Sequence, residues 1–148
     1  MRKAVRVIII KDDKLLVMHR NKFGDEYDTL PGGNVEVGET NVQALQREVQ
    51  EETTLTFTNP RLVCIEHAGD PYGDQFVYLA KYVSGDPQLA PNSEEAIINK
   101  LGHNLYNPGW LELSKLANSP FLSEKLKQFV LDGHKNGWPD NAVEITTN

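Results

Sequence analysis

Apolar positions follow two rhythms along this chain of 148 residues. Near the start, "VRVIII" (5–10) and "LLVMH" (15–19) flank the polar "KDDK", which predicts two strands closed into a hairpin. The next stretch, "NKFGDEYDTLPGG", lacks a sustained period, and Pro31-Gly32-Gly33 predicts loop. From Thr40 the spacing changes. Val42, Leu45 and Val49 recur at i, i+3 and i+7, one face of a helix, and Thr40 with Gln43 forms the capping-box pair that opens it. "LVCIEHA" (62–68) and "QFVYLAKYV" (75–83) predict strands on either side of the turn-rich "GDPYGD". After the loop "SGDPQLAPNS", "SEEAIINKL" predicts a short helix and "NLYNPGWLEL" a further strand.

A last helix is expected from Ser119 as N-cap and Pro120 at its first position, with Phe121, Leu122, Leu126, Phe129 and Val130 facing the core and Gly133 as its stop. Residues 134–148 then read as a polar tail, with Trp138-Pro139 resting on the body, so one domain is expected over residues 1–133. Strands before, between and after two helices predict an α/β domain with a mixed sheet packed between helices.

Composition narrows the picture little. Hydrophobic residues at 39% and charged residues at 24% are those of an ordinary globular domain. A net charge of −6 argues against binding duplex nucleic acid through a basic face. It leaves room for a small polyanion if a cation bridges the two. The lone Cys64 cannot form an internal disulfide and reads as a small buried apolar residue in a reducing compartment. Arg6 and "KDDK" break the first apolar run too early for a leader, and no run reaches membrane-spanning length, so the expected setting is cytoplasmic, without membrane contact.

The helix from Thr40 carries a puzzle. Glu48, Glu51 and Glu52 crowd its C-terminal end, where the macrodipole is already negative, and Glu48 and Glu52 repel at i,i+4. On a helical wheel Glu48 and Glu52 border the apolar face, so they point toward the crevice between helix, sheet and the preceding loop. A hard divalent cation there, which prefers oxygen ligands, removes both penalties. Gly32-Gly33 lets backbone approach such a ligand closely.

At this point residues 33–55 resemble the signature of the Nudix hydrolases. Gly33, Glu39, Arg47, Glu48, Val49, Glu51, Glu52 and Leu55 stand at the family's spacings, and only Thr54 departs, where the family has glycine. Eight matches of nine arise by chance on the order of once in 10⁸. "TLPGG" and the Trp110–Leu116 run are similar to the family more loosely. The resemblance implies a Nudix-type α/β/α sandwich with a mixed β-sheet, and hydrolysis of a nucleoside diphosphate linked to another moiety, of nucleotide-sugar or ADP-ribose type. It implies Mg²⁺ or Mn²⁺ on Glu48 and Glu52, with Glu51 as a further ligand or as the base acting on water. Arg47 would orient a carboxylate, Glu51 or Glu39. The Gly32 carbonyl would be a metal ligand, Gly32 and Gly33 would line the substrate, Arg20 would meet phosphate, and Glu94 or Glu95 would add a later carboxylate.

Alternatives are a nucleoside triphosphate pyrophosphohydrolase, a catalytically silent nucleotide-sensing module, and, remotely, a calcium-binding structural domain. The expected partner is a small nucleotide, with homodimer assembly open. His19 and His67 read as structural or exposed strand-end residues, and Tyr72 as an exposed turn tyrosine able to stack on a base. Because "TTLTFT" is rich in β-branched residues, Thr54 is expected at negative φ, already extended toward the next strand.

Overall fold

The computed structural model describes residues 2–147. Its strands are β1 (Lys3–Ile8), β2 (Ile10–Lys11), β3 (Lys14–Lys22), β4 (Asp25–Thr29), β5 (Gly32–Asn34), β6 (Thr56–His67), β7 (Asp74–Ser84), β8 (Asn104–Glu112) and β9 (Val143–Thr146). Four helices interleave: α1 (Asn41–Thr53), α2 (Glu94–Asn99), α3 (Leu113–Leu116) and α4 (Glu124–Asn136). One sheet has the order β5-β1-β7-β6-β9, with β1–β7 and β6–β9 parallel and the other pairs antiparallel. In the second sheet β3 pairs with β2, β4 and β8.

Alternation along β1 divides the interior. Val5, Val7 and Ile9 join Ala44, Leu45 and Val49 of α1 in one core, while Ile8 joins Leu116, Leu126 and Val130 beneath α3 and α4 in the other. The result is the expected α/β/α arrangement with a mixed sheet between helices.

α1 forms as its sequence dictates. Thr40 Oγ1 accepts from the Gln43 amide and the Gln43 side chain accepts from the Thr40 amide, closing the capping box. The end of the helix differs from expectation. Thr54 takes φ 58°, a left-handed cap whose N–H reaches Gln50 O. Its hydroxyl donates to Asp86 O at 3.2 Å and Leu55 beyond it is buried, so the turn is imposed by the packing of Leu55. Tertiary burial overrides the β-propensity of "TTLTFT" here.

Other differences share one origin. The run 5–10 breaks at Ile9, whose carbonyl accepts from Leu16 N–H, so β1 enters one sheet while the hairpin is made by β2 and β3 in the other. The expected loop over 21–33 holds a second hairpin instead. Phe23 and Gly24 both have positive φ, the geometry of a tight two-residue turn, and the edge strand β4 is almost wholly polar, so no apolar alternation marks it. β4 in turn binds the segment expected to open the last helix: Asp28 N–H donates to Pro120 O and Leu122 N–H to Asp28 O. Pro120-Phe121 is therefore extended, Leu122 is exposed, and α4 starts after its N-cap Ser123, whose Oγ accepts from Leu126 N–H. Gly133 does not stop α4. It is buried within the helix, where an added Cβ would lie 2.2 Å from the Trp138 ring. Residues read as a tail accordingly supply the last turn of α4, the Trp138–Phe129 contact and strand β9.

A β-branched residue at left-handed φ carries strain on the order of 1–3 kcal/mol. Against this, a glycine adds about 0.4–1 kcal/mol of unfolded-state entropy and loses one exposed hydrogen bond. Thr54→Gly is therefore expected to raise the melting temperature by roughly 1–3 °C, read by thermal unfolding monitored by circular dichroism.

Candidate active site

The C-terminal half of α1, the β5 backbone, the loop before α2 and the ends of β3 and β8 enclose a cavity of about 680 Å³. Its carboxylates belong to Glu36, Glu48, Glu51, Glu52, Glu94 and Glu95, and its cations to Arg2, Arg6, Arg20 and Arg47.

Arg47 organises the floor. Its guanidinium meets Glu39 with two hydrogen bonds, 2.8 Å from Nε and 3.0 Å from Nη2. Nη1 donates to Glu48 Oε1 at 2.9 Å and to Glu51 Oε2 at 3.4 Å, and Nη2 also donates to Asn34 O at 3.0 Å. Both carboxylates expected to be oriented by Arg47 are therefore in contact with it, Glu39 far more strongly. The contact holds the Glu39 carboxyl down to about 2, and the surrounding acids keep the guanidinium charged.

Glu48 and Glu52 are buried along the edge of α1, as the wheel requires. Burial pushes the Glu48 carboxyl up from its ordinary value, opposed by Arg47, and pushes Glu52 up to about 8, opposed by the Gly32 amide and the charge of Arg6. Gly32 N–H donates to Glu52 Oε1 at 3.0 Å. Both glycines are steric necessities. A Cβ on Gly32 would sit 1.9 Å from Val5 O, and one on Gly33 would sit 2.6 Å from the Glu48 carboxylate.

The helix end that seemed electrostatically poor is covered by backbone. Ala90 N–H donates to Glu51 O and Gln88 N–H to Thr53 O, so the loop before α2 satisfies carbonyls left open by the last turn. The same loop delivers Ser93, which caps α2 by accepting from Ala96 N–H. Of the two later glutamates, Glu94 is exposed and Glu95 half-buried. Glu95 Oε1 is buried without a hydrogen-bond partner among the described residues, and burial raises its carboxyl above the ordinary value.

Arg20 reaches the cavity from β3. It stacks 3.7 Å over Tyr106 and donates to Leu105 O and Asn104 Oδ1, which fixes the guanidinium against β8. Arg6 and Tyr106 are among the lining residues that the sequence reading missed. Arg6 was visible only as a break in an apolar run, and its interior position, donating to Gln75 Oε1 and Leu30 O, is what a charged residue in such a strand signals. Tyr106 had no local signal at all. His19 and His67 lie outside this cavity, bridging Asp28 with Glu26 and Asp74 with Glu144.

Among the described residues no three His, Cys, Asp or Glu side chains already converge as a metal cage. The donor set nonetheless fits a hard divalent cation. It is all oxygen, two of its carboxylates are buried beside each other at cost, and Arg47 lies among them as the cationic counterpart.

Comparison with known proteins agrees with this geometry. The NUDIX domain family model matches residues 1–130. The NAD-capped RNA hydrolase NudC of Edwardsiella ictaluri is 38% identical over 83 residues, 56% of this chain and 32% of that protein. The chain thus spans about a third of the length of that curated relative. A NUDIX hydrolase from Nitrosomonas europaea superposes with a TM-score of 0.69 at 23% identity, over 93% of this chain and 90% of that one. An ADP-ribose pyrophosphatase from Streptococcus suis superposes with a TM-score of 0.65 at 20% identity, over 98% of both chains. Those two structures share its fold. Matched over most of its length by the family model, this chain belongs to the NUDIX domain family.

Proposed function

We propose that this chain hydrolyses the pyrophosphate linkage of a nucleoside diphosphate joined to another moiety, with Mg²⁺ or Mn²⁺ bound by Glu48 and Glu52. The observation that supports the reading is the pairing of two buried carboxylates, packed against Gly32 and Gly33, with four arginines lining the same cavity. Carboxylates alone would repel a polyphosphate. Arginines alone would bind it without a cation. The combination suits phosphates bridged to the protein through a metal. ADP-ribose and NAD, named by two of the similar proteins, are both nucleoside diphosphates carrying a further group, which favours this class over a triphosphate.

When bound, the cation would neutralise the bridging phosphates and lower the pKa of an attacking water. The chain's own residues do the rest. Glu52 is oriented by the Gly32 amide and Glu48 by Arg47. Glu51, less buried and held only at 3.4 Å by Arg47, is the carboxylate free to take a proton. Glu95 supplies the additional later carboxylate, since it is half-buried and lacks a partner for Oε1. Arg20 presents a fixed cation to phosphate, and Gly33 makes room for the Glu48 carboxylate beside the β5 backbone. Among the described residues no helix is long and apolar enough to cross a membrane.

A panel of nucleoside diphosphate derivatives and triphosphates assayed with Mg²⁺ tests the class. Monophosphate release without pyrophosphate from the diphosphate derivatives is expected, and pyrophosphate release from triphosphates as the dominant reaction would reverse the assignment. Glu48→Gln and Glu52→Gln are each expected to lower kcat at least about 100-fold, by removing charge that holds the cation at the developing negative phosphate. Steady-state kinetics at saturating Mg²⁺ checks this.

The Glu52 shift also fixes the sign of a stability effect. Its carboxyl binds a proton more tightly folded than unfolded, so metal-free stability falls as pH rises from about 4.5 toward 8. Glu52→Gln removes this term. Its melting temperature relative to the parent is expected to climb across that interval in chelator, and a flat difference would contradict the buried, proton-binding carboxylate.

A further inference from the structure

Beside the carboxylate cavity lies a second cleft of about 580 Å³, and Arg2, Arg6, Arg20 and Thr29 line both. Leu30 and Leu126 give the second cleft apolar walls, and Tyr27 and Tyr72 add aromatic surface. Set into these walls is Glu66 of β6, only 6% exposed. Its Oε2 accepts from Ser123 Oγ at 2.5 Å. Among the described residues Oε1 has no hydrogen-bond partner, and no cation lies within salt-bridge distance of either oxygen. Arg6 is near enough to feel the charge, yet it directs its own hydrogen bonds to Gln75 and Leu30. Oε1 is therefore open to the cleft, where the N–H groups of a ligand can take the place of water on a carboxylate that the protein itself meets with a single hydroxyl donor.

A carboxylate accepts only, so the ligand edge it fits must present donors. Two side-by-side N–H groups would bind both oxygens, because Oε2 keeps a lone pair after accepting from Ser123. Among nucleobases, guanine offers that pattern at its ring N1–H and exocyclic amine. Adenine instead sets an acceptor beside its amine and would face Glu66 with a lone pair. The apolar and aromatic walls suit a planar base, and the shared arginines lie between this cleft and the carboxylates, where the phosphates of such a nucleotide would run. We propose that Glu66 reads the base, and that the substrate is a guanosine diphosphate derivative whose guanine enters this cleft. The inference rests on the hydrolase reading above and narrows its substrate class. An alternative structural role, in which Glu66 merely anchors the Ser123 cap of α4, predicts no base preference.

Binding of nucleoside 5′-monophosphates to the full chain, measured by calorimetric titration with Mg²⁺ present, tests this without any turnover. GMP is expected to bind roughly 10–100-fold more tightly than IMP, which lacks the exocyclic amine, that being the size of one hydrogen bond to a charged acceptor. AMP should be weaker than GMP by at least as much. Glu66→Gln keeps an acceptor for Ser123 but replaces one acceptor by a donor, so it should lose GMP affinity and prefer XMP, whose edge pairs N–H with a carbonyl. Equal affinities for GMP, IMP and AMP would overturn the proposal, and so would a Glu66→Gln variant with an unchanged ranking. Should that variant not fold, the parent decides alone: a GMP preference over IMP below about threefold overturns it. Selective GMP binding with no hydrolysis of any diphosphate derivative would instead count against the reaction and leave the base-reading assignment standing.

Discussion

The site depends first on the guanidinium of Arg47. Two parallel hydrogen bonds to Glu39 tie the loop before α1 to the middle of the helix, and the bond to Asn34 O ties β5 to the same point. A planar fork with five donors can do this while still touching Glu48 and Glu51, whereas an ammonium could not match the bidentate geometry. Glycine backbone, helix and loop are thereby held in one arrangement around a cluster of like charges. The C-terminal carbonyls of α1 are satisfied separately, by amides of the loop that leads into α2. Electrostatic compensation and positioning of the later glutamate thus come from the same segment.

What could be read from the chain was what short-range chemistry determines. The capping box, the apolar face of α1 and the placement of Glu48 and Glu52 along its edge follow from residues within a few positions of one another, and the structure reproduces them. What could not be read depends on distant partners. β4 is polar because it is an edge strand, so it left no alternation to detect. The segment at Pro120 is extended only because β4 is there to bind it. Gly133 looks like a helix stop until Trp138 folds back over it. Thr54 turns left-handed against its propensity because Leu55 must reach the core.

The interior charges form a second class of illegible feature. Arg6 registers in the sequence only as a break in an apolar run, and Glu66, between Ile65 and His67 at the end of β6, carries no local signal. In the fold Arg6 is part of the wall of arginines shared by the two clefts, while Glu66 lies in the second cleft. A net charge of −6 hides this arrangement, because the overall balance reflects the surface and says little about the local field where phosphate would sit.

Strand β9 has a bearing on the molecule's behaviour in concentrated solution. It covers β6 from Cys64 to His67 in parallel register and would otherwise leave a row of backbone donors and acceptors open along a five-stranded sheet. Such an edge is a template for intermolecular pairing. β9 is itself a poor template: it has four residues and carries Glu144, fastened to His67 at 2.8 Å. The last few residues therefore act as a guard against self-association. A chain cut back to the stretch that the family model matches would keep its site residues yet be prone to aggregate.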